Sequence, residues 1–313
     1  MKELSWLELF VLQEPFIDTI KFQSPLFDLI VDAPVSKWEN IDFNAVKELL
    51  ESSMDESEYN ILKKSLAVLS APEYKYELVL DIENKRHLSF FFRKAADCVS
   101  FTASDSSTFQ VGDLAPYKDS LQKYLELLEI SKFQPDSTSS VHQFSFDDYL
   151  ILNIAFYLEE MSRKVGADTA GNFMHFTIDD ISEQFNEGDV KRITAISSLY
   201  KDDEGSKKTI DIEKVAHNLI DNGYLAHTDN NLLTLGSKSL FLFENMFREN
   251  TLKLSFTTTK YLGDEGDEHI NFGTFVCTKS SVFYLHIENR KIVIDIVQSK
   301  KQLNSLFYDS FDF

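Results

Sequence analysis

Cysteine, glycine, proline and positive charge are all scarce in this chain, and each scarcity removes a class of protein. Two cysteines in 313 residues, Cys98 and Cys277, cannot build a disulfide framework or a structural zinc site. Both lie in strand-like runs far apart, which suits buried thiols in a reducing compartment. Ten glycines and six prolines leave the chain below ordinary usage, as expected of a folded protein rich in regular structure. Neither G-x-G-x-x-G nor G-x-x-x-x-G-K-[ST] occurs, so no phosphate cradle is expected, and no G-x-S-x-G elbow marks a serine hydrolase. Lys and Arg number 31 against 51 Asp and Glu, a formal net charge of −20. Neutralising phosphates needs the opposite balance, which argues against a nucleic-acid or anionic-membrane surface. No run of about 18 apolar residues occurs, so no bilayer span is expected. Glu3 and Glu8 interrupt the opening MKELSWLELF, which does not read as a signal peptide. The expected compartment is the cytoplasm.

Aromatic residues are what the chain has in surplus: 27 are Phe. The length allows one large domain or two ordinary ones. The stretch SKFQPDSTSSVHQ, residues 131–143, is a linker by composition, with Pro135, Asp136 and a Ser/Thr run between apolar segments. This divides the chain into a first half, 1–130, and a second, 144–313. In the first half, Phe43–Ser53 and Asp55–Ser70 carry apolar residues at helical spacing, Tyr59, Leu62, Leu66 and Leu69 in the latter. Pro72 closes that helix. The runs YKYELVLDI, HLSFFF, DCVSFTA and TFQV then read as strands, with Glu83-Asn84-Lys85 as the first turn. A helix starting beside Pro116 puts Leu121, Tyr124, Leu125 and Leu128 on one face.

In the second half, helices are expected over Phe146–Lys164, Thr177–Asn186 and Ile210–Asn222, with Thr177-x-x-Asp180 as a capping start. Gly223 ends the third helix, and a short strand at Tyr224-Leu225 follows. After the turn Asp229-Asn230-Asn231, Leu232–Leu235 returns, and Gly236 opens another helix. Helix followed by a two-stranded wing is the winged-helix pattern, placed here at 210–247. Strands LKLSFTTTKY, INFGTFVC, SVFYLHI and KIVIDIV and a helix from Lys300 complete the chain.

The halves align without gaps at an offset of 182 residues, the separation of His269 from His87. HLSF at 87–90 then meets HINF at 269–272. Phe101 meets Phe283, Val111 meets Val293, Asp113 meets Asp295, Lys118 meets Lys300 and Leu121 meets Leu303. The expected fold is therefore α+β, a pseudo-twofold duplication. Each half would hold a mainly antiparallel sheet of about four strands, with helices on one face and a winged-helix-like segment.

Candidate chemistry is sparse. The loop Gly263–His269 concentrates Asp264, Glu265, Asp267 and Glu268, but its order departs from the alternating calcium loop. It reads as a solvated hairpin tip or as a partner contact. His87 and His269 hold equivalent places, and no histidine falls in a Ser/His/Asp or Cys/His arrangement. Phe90-Phe91-Phe92 puts aromatics on both faces of one strand, which is either covered twice or exposes aromatic surface. The helix IDIEKVAHNLIDN would be the recognition helix of a DNA reader, yet Asp211, Glu213 and Asp221 oppose a single lysine.

The run LIDNGYLAHTDNNLLTLGSKSLFLFENMF with the strand LKLSFTT, and its counterpart NILKKSLAVLSAPEYKYELVLDI, resemble the EspG-like cytosolic chaperones of type VII secretion, including relatives that escort toxins. That resemblance implies a non-enzymatic chaperone or adaptor. Its partner would be a secreted helical protein, of WXG or LXG type or a toxin, kept soluble until export. No cofactor, metal, nucleic acid or membrane insertion is implied, and the oligomeric state is left open. The implied contact set is Glu83, Asn84, Lys85, Arg86, Tyr261, Asp264, Glu265, Asp267, Glu268, Phe272 and Phe275. A winged-helix DNA-binding regulator, an enzyme with dispersed site residues, and a phage- or defence-related scaffold are the alternatives.

Overall fold

The computed structural model describes residues 2–31, 38, 40–82, 85–103, 108–130, 133, 141–165, 175–186, 210–228, 232–248, 250–262 and 268–312. The fold is α+β, and every helix stripe and strand alternation that positions the candidate site can be traced to its residues. Contacts divide the chain into two compact units, one of residues 1–135, 251–276 and 297–313, the other of 136–250 and 277–296.

In the first unit, Ser5 and Glu8 form a reciprocal cap that starts α1 (Trp6–Gln13) directly after the short strand β1 (Lys2–Ser5). Helix α2 (Pro25–Val31) and helix α3 (Phe43–Ser53) follow, the latter capped by Asp42. Asp55 caps α4 (Glu56–Ser70), whose Tyr59, Leu62, Leu66 and Leu69 are buried as the helical period requires. The strands are β2 (Tyr74–Ile82), β3 (Lys85–Lys94), β4 (Asp97–Ala103) and β5 (Thr108–Val111), then a two-residue β6 (Ala115–Pro116) and α5 (Tyr117–Glu129). Strands β10 (Asn250–Tyr261) and β11 (Glu268–Thr278) and helix α10 (Lys300–Asp309) come from the far end of the sequence. The strand order is β1-β5-β4-β3-β2-β10-β11, with β6 on β4. The pairings along β1-β5-β4-β3-β2-β10 are antiparallel.

Two separate helical layers cover this sheet, where one covered face was expected. On one face Phe91 meets Tyr124 of α5 edge-on, and Phe275 and Phe256 pack under Phe307 and Phe311 at the α10 end. On the other, Phe92, Val99, Phe101, Phe109 and Val111 join a core with Leu62, Leu66 and Leu69 of α4. Phe91 and Phe92 thus point opposite ways and are both buried, because β3 is a central strand here.

In the second unit, α6 (Phe146–Val165), α7 (Ile178–Asn186) and α8 (Ile212–Asp221) pack together. Thr177 and Asp180 make the expected reciprocal cap ahead of α7. The wing is β8 (Leu225–His227) against β9 (Leu233–Leu235), extended by a bridge from Phe176 to Leu233. Gly223 turns the chain at φ +76, and a Cβ on Gly236 would stand 2.4 Å from the Gly223 carbonyl oxygen. The wing therefore requires glycine at both positions. Helix α9 (Ser237–Leu242) and a π-helical turn, Phe243–Arg248, follow. The strand β7 (His142–Phe144) takes up the last residues of the expected linker and pairs with β13 (Lys291–Val297), whose other neighbour is β12 (Val282–Glu288). A wing was expected in each half, but α4 runs instead into the β2–β3 hairpin of the large sheet, and β8–β9 is the separate wing among the described residues.

The offset of 182 residues carries β3 onto β11, β4 onto β12, β5 onto β13 and α5 onto α10. It also equates Tyr76 with Thr258, and these two face each other directly in the β2–β10 ladder. A two-fold axis passing between antiparallel strands requires that pairing of equivalents.

Candidate functional site

Beyond Phe90, which packs against the α4 core, the same face continues over β3, β2, β10 and β11, where Leu88 and Ile270 are exposed while Thr259, Thr274 and Val276 are buried. The register builds this face in rows. Phe90, Glu77 and Thr257 form one row; Leu88, Val79 and Ser255 form the next; Arg86, Asp81 and Lys253 form a third. On β11, the Thr274 hydroxyl donates to Ser255 at 3.1 Å, so alternation sets Phe272 and Ile270 on this face too. Strand β2 shows the division plainly: Tyr76, Leu78 and Leu80 are buried while Glu77, Val79 and Asp81 are half-buried.

Two apolar ridges stand on the face. Leu88 is 51% exposed and Ile270 59%, high values for large aliphatic side chains. The duplication relates them, pairing Leu88 with Ile270 and Phe90 with Phe272. The ridges are separated by three inter-strand steps, about 14 Å, and the floor on β10 is Ser255 and Thr257. A trough of that width suits an α-helix about 10–12 Å across.

Charge is graded along it. Lys75 pairs with Glu77 toward one end. At the other, Arg86 grips Asp81 through Nε to Oδ1 at 2.8 Å and Nη2 to Oδ2 at 3.2 Å. Burial pulls the Lys253 ammonium pKa below its ordinary value, with Arg86 adding to the fall and Asp81 opposing it.

Of the expected contact residues, Arg86 and Phe272 lie on this face, and Tyr261 is half-buried at the end of β10. Lys85 is exposed beside Arg86, at the start of β3. Glu268 opens β11. Glu83, Asn84, Asp264, Glu265 and Asp267 lie outside the described residues, as do Asp202-Asp203-Glu204 and Asp229-Asn230-Asn231. Phe275 is a correction: it is fully buried against Phe256 and Phe307, because alternation turns it away from Phe272. The strand ends flanking the two expected loops also sit apart. Ile82 pairs with Leu252 while Tyr74 pairs with Lys260, which puts Lys85 and Arg86 at one end of the trough and Tyr261 at the other. Leu88, Val79, Ile270 and Lys253 also lie on this face and are outside the expected set, although the alignment of HLSF with HINF already contains Leu88 and Ile270.

Among the described residues no group of three or more His, Cys, Asp or Glu side chains could hold a metal ion. No helix of the described residues is long and apolar enough to cross a membrane. No family model matches the chain, and no curated protein matches it in sequence. Among solved structures, the chain is similar along its whole length to the Mycobacterium tuberculosis type VII secretion system chaperone EspG5, solved in complex with the PE25–PPE41 dimer. The similarity covers 97% of that chain, at a TM-score of 0.43 and 12% identity.

Proposed function

We propose that this chain is a non-enzymatic chaperone or adaptor that binds a secreted helical protein and keeps it soluble for type VII export. The reading rests on one observation, the exposed Leu88 and Ile270 on one sheet face, each beside a half-buried Phe, Phe90 and Phe272. Exposed large apolar side chains on an otherwise charged surface mark a binding site, and two such ridges a helix width apart favour a helical occupant. The resemblance of LIDNGYLAHTDNNLLTLGSKSLFLFENMF and LKLSFTT to the EspG-like chaperones adds the export pathway. The charge of −20 suits a carrier that must hold an apolar cargo in solution.

The test is purification from the native host, with the associated protein identified and its export followed. Wild type should retain a secreted helical protein in stoichiometric complex, and deletion should remove that protein from the medium. Leu88→Ser with Ile270→Ser should give the same export defect with little change in melting temperature, since both side chains are more than half exposed. Recovery of the chain alone, with export intact in the deletion strain, sinks the reading.

A further inference from the structure

The row Arg86–Asp81–Lys253 carries two cations and one carboxylate at one end of the trough. Arg86 already engages both oxygens of Asp81. Lys253 is directly opposite Asp81, is half-buried, and its ammonium makes no hydrogen bond or ion pair among the described residues. A half-desolvated ammonium without a hydrogen-bond acceptor has surrendered part of its hydration for only the through-space attraction of Asp81. On a chain of net charge −20, a local surplus of positive charge beside an apolar ridge is a selective feature.

We propose that Lys253, supported by Arg86, receives a carboxylate from the docked helix. The proposal rests on the helix-binding reading above and adds the chemistry that reading lacks. Spacing supports it. The charged row lies two residues along the strands from the Leu88–Val79 row, about 6.6 Å. A helix rises about 6 Å in four residues, so one lying along the trough sets an acidic residue one turn from an apolar side chain seated on Leu88 and Val79. The negative end of the helix dipole is favoured near the same cations, which orients the helix with its C-terminal end toward Lys253.

The probes are two synthetic helical peptides of about 20 residues, long enough to hold a helix, with the same leucine stripe. They differ only in Glu or Gln one turn beyond the last leucine. Titrated against the full chain by fluorescence anisotropy, the Glu peptide should bind about tenfold tighter, the effect of one charged hydrogen-bonded contact. Lys253→Met should erase that preference, leave the affinity for the Gln peptide in place and keep or raise the melting temperature. Arg86→Gln, at an exposed position, should reduce the preference without changing stability. Equal binding of both peptides to wild type overturns the carboxylate receptor and leaves the helix trough standing. Binding of neither peptide overturns both.

Discussion

Phe311 lies fully buried among Tyr76, Phe256 and Phe307, two positions from the end of the chain. Its carbonyl accepts a hydrogen bond from the Tyr76 hydroxyl. Phe311→Ala should cost about 3–5 kcal/mol, read from chemical denaturation, because the ring leaves a cavity the sheet cannot close. Next to it, the Arg93 guanidinium lies between the Tyr74 and Tyr117 rings and donates to Asp312. Burial opposes ionisation of Asp312, but hydrogen bonds from Tyr117 and Arg93 outweigh it and hold the pKa below the ordinary carboxylate value. His142 shows the cationic counterpart. Its Nδ1 lies 3.0 Å from the Tyr224 hydroxyl, and burial, then the charge of Lys238, lowers its pKa. The folded chain refuses a proton that the unfolded chain accepts, so stability should fall as pH drops from about 7 to about 5. His142→Gln should flatten that part of the melting-temperature profile. Tyr59, Leu62, Leu66 and Leu69 were legible as core from their spacing alone. Lys253 was not, because its burial depends on Asp81 and Arg86, brought alongside by a register that no local pattern encodes.

The wing depends on one close approach at the level of secondary structure. The Gly236 amide donates to the Tyr224 carbonyl at 2.8 Å, which clamps the start of α9 against the end of α8. Gly236→Ala must push backbone against backbone, so it should lower the melting temperature by several degrees, whereas Ala226→Ser on the neighbouring strand should not. The exposed side of α8 shows Glu213, Lys214, His217, Asn218 and Asp221. A helix of that composition offers phosphates little, and a gel-shift series at low salt should show no retardation of duplex DNA. Strand boundaries were readable at this scale: YKYELVLDI is β2 and KIVIDIV is β13, residue for residue. Which face each strand presents to a helix was not readable. Phe272 and Phe275 look alike in sequence and point opposite ways, and only the position of α10 decides which is covered.

For the whole molecule, a charge of −20 and a sequence pI of about 4.7 predict a solubility minimum near that pH, measurable by light scattering across a titration. Against that acidic surplus, the row Arg86–Asp81–Lys253 on the sheet face is net positive. The direct pairing of Tyr76 with Thr258 has a consequence for how such a trough arose. Pairing of equivalents is the geometry of an isologous dimer, here written into one chain. In a true dimer every substitution appears twice, so a cation added at one end is matched at the other and a bound helix reads the same in both directions. Fusion lifts that constraint. The position equivalent to Lys253 is Ala71, and the lysine is therefore unmatched. On the proposed helix-binding reading, that single lysine gives the face a direction, because its two ends no longer present the same charge.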